Sequence, residues 1–198
     1  MVLVPGGEFL MGAADAGGPE DGEGPVRPVR LSPFRNDIHA VSNNRFAGFV
    51  DATGYVTEAE WEYAARGGLA QRRYPWGDAL DPDGYRCNIW RGTFPSKNTA
   101  ADGYRGTAPV DAFEPNGYGL YNTFGNVWEW CADWWTLDHA SSLVTDPKGP
   151  ARGRDKVIRG GSLLCHKSYC NRYRVAARAA GTPDGARAHT GFRCARRA

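Results

Sequence analysis

Residues 68–155 have little room for long regular elements. Pro75, Pro82, Pro95, Pro109, Pro115, Pro147 and Pro150 punctuate them, with glycines and aromatic residues between. Proline removes a backbone donor and blocks the helical turn before it, and it enters a sheet only at edges and bulges. Short strands and turns remain, with one helical turn expected near 126–130. So long an irregular stretch needs more than ladder hydrogen bonds to hold it. Bound calcium, which accepts backbone carbonyls readily, is one candidate. The whole chain shares this character: 26 Gly and 13 Pro stand among 198 residues, with seven Trp and nine Tyr. That composition, without low-complexity runs, reads as an ordered fold rich in turns.

Regular elements are expected at both ends of that stretch. Val2-Leu3-Val4 and Glu8-Phe9-Leu10-Met11 read as a strand pair turning at Pro5-Gly6-Gly7. Residues 13–25 are a Gly/Asp/Glu/Pro loop, and 26–31 an edge strand on account of Pro28. A helix is expected over 43–52, capped by Ser42, with Phe46, Phe49 and Val50 on its inner face and Gly54 at its end. A second follows: Thr57-x-x-Glu60 is a capping box, Trp61, Ala64 and Ala65 come next, and Gly67 stops it. Thr182-Pro183-Asp184-Gly185 is a turn, and residues 190–195 form a last strand expected to pair with 157–160.

A chain of 198 residues, 41% hydrophobic, suits one domain spanning 1–198. Its 24 basic and 22 acidic side chains leave a net charge of +2, which argues against nucleic acid as a partner. No apolar run reaches the roughly 20 residues of a membrane span. The first residues lack the basic head and apolar stretch of a signal peptide. A monomer of the bacterial cytoplasm is the expectation. Nucleotide, serine-hydrolase and zinc-protease motifs do not occur, and His39, His139, His166 and His189 are scattered.

Chemistry concentrates at Cys165 and Cys170, beside His166, Lys167, Arg172, Arg174 and Arg178. Positive neighbours favour thiolate over thiol, and thiolates select Cu(I), zinc or iron–sulfur clusters. Structural zinc takes four ligands; here only His166 stands beside the pair, and Cu(I) tolerates two thiolates. A disulfide closing a small loop and a pair of inert thiols are the other readings. Oxygen-rich clusters, Asn88 and Ile89 with Asp102 and Tyr104, and 122–129, either hold calcium or cap turns. Five cysteines leave at least one unpaired. Cys87 and Cys131 each adjoin one of these clusters and are expected to lie close enough to pair; two buried thiols are the alternative.

Pro5-Gly6-Gly7-Glu8-Phe9-x-Met11-Gly12, Glu60-Trp61-Glu62-Tyr63-Ala64-Ala65-Arg66-Gly67-Gly68, Tyr74-Pro75-Trp76-Gly77, Gly125-Asn126-Val127-Trp128-Glu129-Trp130, Arg159-Gly160-Gly161-Ser162 and Gly191-Phe192-Arg193-Cys194 resemble the formylglycine-generating, sulfatase-modifying superfamily. The resemblance implies an α+β fold with little regular secondary structure, a variant of the C-type lectin fold. Cys165-His166-x-Ser168-Tyr169-Cys170-x-Arg172 resembles its formylglycine-generating members. These oxidise a cysteine of a Cys-x-Pro-x-Arg motif in a sulfatase polypeptide to Cα-formylglycine with O2. By that resemblance Cys165 and Cys170 bind Cu(I), with the substrate thiolate as third ligand. Tyr169 and Ser162 line the site, Trp128 packs beside the copper and Arg178 holds substrate. Calcium ligands are implied at Asn88, Ile89, Asp102 and Tyr104, and at Asn122, Gly125, Val127 and Glu129. The ergothioneine-type sulfoxide synthases, mononuclear iron enzymes with a histidine triad, are the enzymatic alternative, and a non-catalytic lectin-like binding module is another.

The chain departs from the pattern twice. A disulfide found in some members falls at Ala65 and Val175, so it is absent here. The larger departure is at 57–61. Several dozen residues of the family pattern, including part of the substrate groove, are missing there, as if the chain were joined across a repeated Thr-Glu-Ala-Glu. Such a join is expected to open the groove beside the two cysteines.

Overall fold

The computed structural model describes residues 1–14, 21–41, 55–185 and 187–198. The helix expected over 43–52 lies outside them. The elements, in order, are β1 (Val2–Val4), β2 (Gly7–Met11), β3 (Arg27–Leu31), β4 (Phe34–Asn36), α1 (Glu58–Arg66), β5 (Gly92–Thr93), β6 (Lys97–Asn98), β7 (Trp128–Trp134), β8 (Val144–Thr145), β9 (Lys156–Arg159), β10 (Arg178–Gly181), β11 (Thr190–Phe192) and β12 (Ala195–Arg197). Between α1 and β7 only the two-residue β5 and β6 interrupt sixty residues of turns, as the prolines require. No helix among the described residues is long and apolar enough to cross a membrane.

β1 and β2 form but do not pair with each other. β1 joins β4 and β12 in one sheet, β2 joins β3 in another, and Pro5-Gly6 is a corner between the two. The reason is local: two-residue hairpin turns need a positive φ at their first position, and proline is locked near −65°. β3 is central rather than an edge, but its parallel ladder to β8 involves only Val29 and Arg30 and leaves Pro28 outside it.

The main sheet runs β10-β9-β7-β11. Its longest strand, β7, replaces the helical turn expected near 126–130. Gly125 (φ 66°) and Asn126 (φ 58°) are both left-handed and cannot begin a right-handed helix. A side chain at Gly125 would also strike the Asn88 carbonyl, its Cβ only 2.2 Å away. β7 then buries Glu129, Cys131 and Asp133 on one face with the period of a strand. It stands between β9 and β11, so the last strand pairs with β7, in parallel, and not with 157–160. The Thr182–Gly185 turn forms as expected, with the Gly185 N–H on the Thr182 carbonyl at 2.9 Å.

α1 is the element the sequence describes most completely. Thr57 accepts from the Glu60 N–H, and Glu60 accepts from the Thr57 N–H at 2.8 Å. Gly67 ends the helix in the left-handed region. The join at 57–61 is therefore unstrained, with Thr57 at φ −69° and ψ 159°. Val56 is anchored just before it by the Ala132 N–H at 2.9 Å, and Asp133 accepts the Glu58 N–H at 2.7 Å. Thr57→Ala removes half of the box and is expected to lower unfolding free energy by about 1 kcal/mol, measured by urea denaturation; an unchanged midpoint contradicts the cap's contribution.

Ala59, Trp61, Ala64 and Ala65 turn the helix toward the core, and Glu58 and Glu62 go in with them. Fully buried Arg159 at the end of β9 reaches both carboxylates and donates to the Val175 and Ala176 carbonyls at 3.0 Å. Burial opposes charge on Glu58, but Arg178 and Arg159 outweigh it and hold its carboxyl down at about 2. A buried pair of this kind positions elements more than it adds stability. Here it fixes α1 against the strand that leads into the cysteines.

Candidate active site

β9 ends at Arg159, and Gly160 and Gly161, at φ 89° and 72°, turn the chain out of the sheet. Two linked turns follow. The Cys165 N–H donates to the Ser162 carbonyl, and the Tyr169 and Cys170 N–H groups both donate to the His166 carbonyl. Ser162 is buried; its N–H donates to Cys165 Sγ at 3.4 Å and its Oγ accepts from the Leu164 N–H at 3.3 Å. The Trp90 N–H ties the Cys165 carbonyl to the irregular half at 3.0 Å.

These turns bring Cys165, 1% exposed, and Cys170, 8% exposed, side chain to side chain. Both are free thiols, joined by a hydrogen bond. That bond and burial push the Cys165 thiol up. Cys170 goes the other way: the hydrogen bond from Cys165, opposed by burial and helped by the Arg172 N–H and guanidinium, brings it down to about 7. The first proton therefore leaves the pair more readily than an isolated buried thiol would allow. Facing sulfurs of this kind fit a soft monovalent cation.

Cys87 and Cys131 behave differently. Both are buried free thiols with separate charged surroundings, Arg91, Asp81 and Asp102 for the first and Glu58, Asp133, Arg159 and Glu129 for the second. Neither thiol is in a disulfide, so the expected pairing does not form. Burial pushes Cys87 up to about 12 and raises Cys131 as well, so both stay protonated and inert.

Beside the thiol turns Tyr169 and His166 join an aromatic row whose other members, Phe94 and Trp90, the sequence did not single out. Tyr169, 71% exposed, stacks on Phe94 at 4.7 Å. Phe94 also stacks on His166 at 6.3 Å and meets Trp90 edge-on at 5.3 Å. An exposed aromatic face next to a buried reactive pair offers an extended peptide somewhere to lie. The only sequence signal was the presence of Trp90 and Phe94 in one short loop.

Trp128 belongs to the same core cluster as Cys165 and Cys170. Arg178 does not face a groove. It is 1% exposed, all three of its nitrogens are bonded, to Glu58, the Gly22 and Thr136 carbonyls and His139, and its guanidinium lies over Trp135. A substrate could engage it only by dismantling that set.

The calcium clusters differ in fit. At the first, Asp102 already accepts from the Ile89 N–H (3.1 Å), the Tyr104 N–H (3.3 Å) and Arg91 (3.4 Å), and Asn88 is tied to Gly106 and Asn126. Asp102 is thus shared with Arg91, as Glu129 of the second cluster is with Arg193. At the second, Glu129 is bonded to Trp61 and Arg193, but Asn122 Oδ1 is buried with no partner, an oxygen that a cation would satisfy. The four histidines fall in separate places: His39 beside Tyr121, His139 on Arg178, His166 on Ser168, and His189 below Trp128 through its carbonyl. Among the described residues no three metal-binding side chains of the His, Cys, Asp and Glu kinds converge, which removes the support for a histidine-triad iron site.

The sulfatase-modifying factor enzyme 1-like domain matches residues 1–57 and 56–198. The chain belongs to that family. Formylglycine-generating enzymes of Thermomonospora curvata and Streptomyces coelicolor are 48% and 45% identical to it, over 98% of this chain and 92% and 88% of theirs. The fold recurs in the solved structure of Treponema denticola variable protein 1, with a TM-score of 0.77 at 21% identity over 100% of this chain and 95% of that one. The alignment to the Thermomonospora enzyme runs over 280 positions against 198 residues here. The family match also divides at 56–57. This sulfatase-modifying-factor chain therefore lacks an internal segment, at the join seen in its sequence.

Proposed function

We propose that this chain is a formylglycine-generating enzyme that oxidises the cysteine of a Cys-x-Pro-x-Arg segment in a sulfatase polypeptide, using O2 and Cu(I) held by Cys165 and Cys170. The observation that carries the reading is the pair of buried free thiols, Cys165 and Cys170, that the two turns bring together. Bound there, Cu(I) would supply a soft centre for the substrate thiolate and for oxygen chemistry. The chain's own groups do the rest. The Ser162 and Arg172 N–H groups hold the two sulfurs, burial keeps water away, and Tyr169 with Phe94 provides the face for the incoming segment. Trp128, by the family resemblance, would pack beside the metal. Converting a CH2–SH group to an aldehyde and sulfide removes two electrons while reducing O2 to water takes four, so an external thiol would provide the other pair.

The test is a Cys-x-Pro-x-Arg peptide incubated with Cu(I), O2 and a thiol reductant, followed by mass spectrometry and hydrazine labelling. One copper per chain and an aldehyde product are expected. Stoichiometric copper without aldehyde at any loading overturns the enzymatic reading and leaves a binding module.

Calcium at Asn122, Gly125, Val127 and Glu129 belongs to the same proposal, supported by the unbonded Asn122 oxygen. EDTA is then expected to lower the melting temperature and added Ca2+ to restore it, since an ion bound only to the folded state stabilises it. A melting curve indifferent to EDTA counts against the ion.

A further inference from the structure

Arg66, the last residue of α1, is 4% exposed. Its Nη2 bonds Glu62 at 2.6 Å and the Gly12 carbonyl at 3.2 Å, yet its Nε and Nη1 are buried without any acceptor. Unbonded N–H groups of a charged side chain out of water are costly, and a native fold keeps few of them. Arg66 lines a cavity of about 370 Å3 whose walls also carry Arg72, Arg73 and Arg174. Among the described residues Asp78 is the only carboxylate in that lining, and it is already engaged by Arg72 at 2.6 Å and by the Arg73 N–H at 3.1 Å. Arg174 is fixed by two 2.7 Å bonds to Glu23 behind the wall. Ala13, Ala14 and Ala176 leave the space between the guanidinium groups open.

We propose that this cavity binds a tetrahedral oxyanion, phosphate or sulfate, whether free or as the terminal group of a small ester. Guanidinium forks match such oxygens in pairs. Arg66, with two unbonded N–H groups, and Arg73 can meet the oxygens directly, and Arg72 and Arg174 add positive charge from their paired positions, whereas a planar carboxylate fills one fork. The site is distinct from the thiol pair, which lines no part of it. It draws Arg174, four residues beyond Cys170, toward the end of α1, so an occupant links the segment leaving the thiols to the helix. The proposal does not depend on the chemistry assigned to Cys165 and Cys170.

The full chain, purified in chloride, is titrated calorimetrically with inorganic phosphate, with sulfate, with a phosphate monoester and with acetate at matched ionic strength. Saturable one-site binding of phosphate or sulfate, absent for acetate, is expected. A monoester that binds as well as the free ion identifies an open site; one that fails restricts it to the free ion. Arg73→Ala, at an exposed position, is expected to weaken binding by about tenfold or more while near-ultraviolet dichroism is unchanged. Arg66→Gln serves as a second variant and is expected to abolish binding. Equal responses to acetate or chloride, or full affinity in the folded Arg73→Ala protein, overturn the assignment.

Discussion

Serine at position 170 is expected to bring aldehyde formation from the Cys-x-Pro-x-Arg peptide down to background and to abolish stoichiometric copper retention, with the fold intact. Cys170 is the thiol whose pKa the Cys165 thiol and Arg172 bring down. A hydroxyl stays protonated there and is a hard ligand, poorly suited to Cu(I). Alanine at Cys165 is expected to give the same double loss, because it removes the thiol that donates to Cys170. Alanine at Cys87 is the control: that thiol is protonated and remote in its interactions, so the substitution is expected to cost some packing and leave turnover. Copper binding and turnover retained by the Cys170→Ser protein would remove the pair from the mechanism.

Arg159→Met is expected to reduce unfolding free energy by about 3–5 kcal/mol, the range for breaking one side of a buried charge set. The methionine fills the space beside Trp61, over which the guanidinium lies at 5.1 Å, but returns nothing to Glu58, Glu62 or the Val175 and Ala176 carbonyls. Against a total of roughly 5–15 kcal/mol for a native domain, this is a severe loss. The pH dependence carries a second signature. Glu58, held at about 2 in the fold, contributes stability that is complete above its unfolded value near 4.3 and disappears as pH falls toward 2. Without Arg159 its folded value rises, so acid unfolding is expected to begin at higher pH. Urea midpoints across pH 2–7 measure both effects; a variant with wild-type stability and acid limb contradicts the role given to Arg159.

What the sequence disclosed followed the range of its signals. The capping box of α1 lies within four residues, so Thr57, Glu60 and Gly67 could be read correctly in isolation. The strands at 2–4 and 7–11 were also visible, but their partners were not, because those are decided by 27–36 and by the φ that Pro5 refuses. At 126–130 the spacing suggested a helical turn, and two consecutive left-handed residues, which composition alone does not reveal, made it a strand. Spacing and charge left Cys165 and Cys170 as a disulfide, a metal pair or inert thiols, and only the fold shows them as buried free thiols. The parts that give them character, Arg172 on Cys170 and Phe94 beneath Tyr169, come from the fold. So does the engagement of Glu129 by Arg193, 64 residues later.

The capping box at Thr57 has a consequence for how such chains vary. A helix start needs only its own four residues, and Thr-Glu-Ala-Glu supplies them whichever flank of an excursion it came from. Inserting residues immediately before Thr57 leaves the helix dipole and its cap rebuilt from the same letters, while buried Val56, held by the Ala132 N–H, stays on the other flank. The position is a seam in the architecture, where the cap is indifferent to the length of what precedes it.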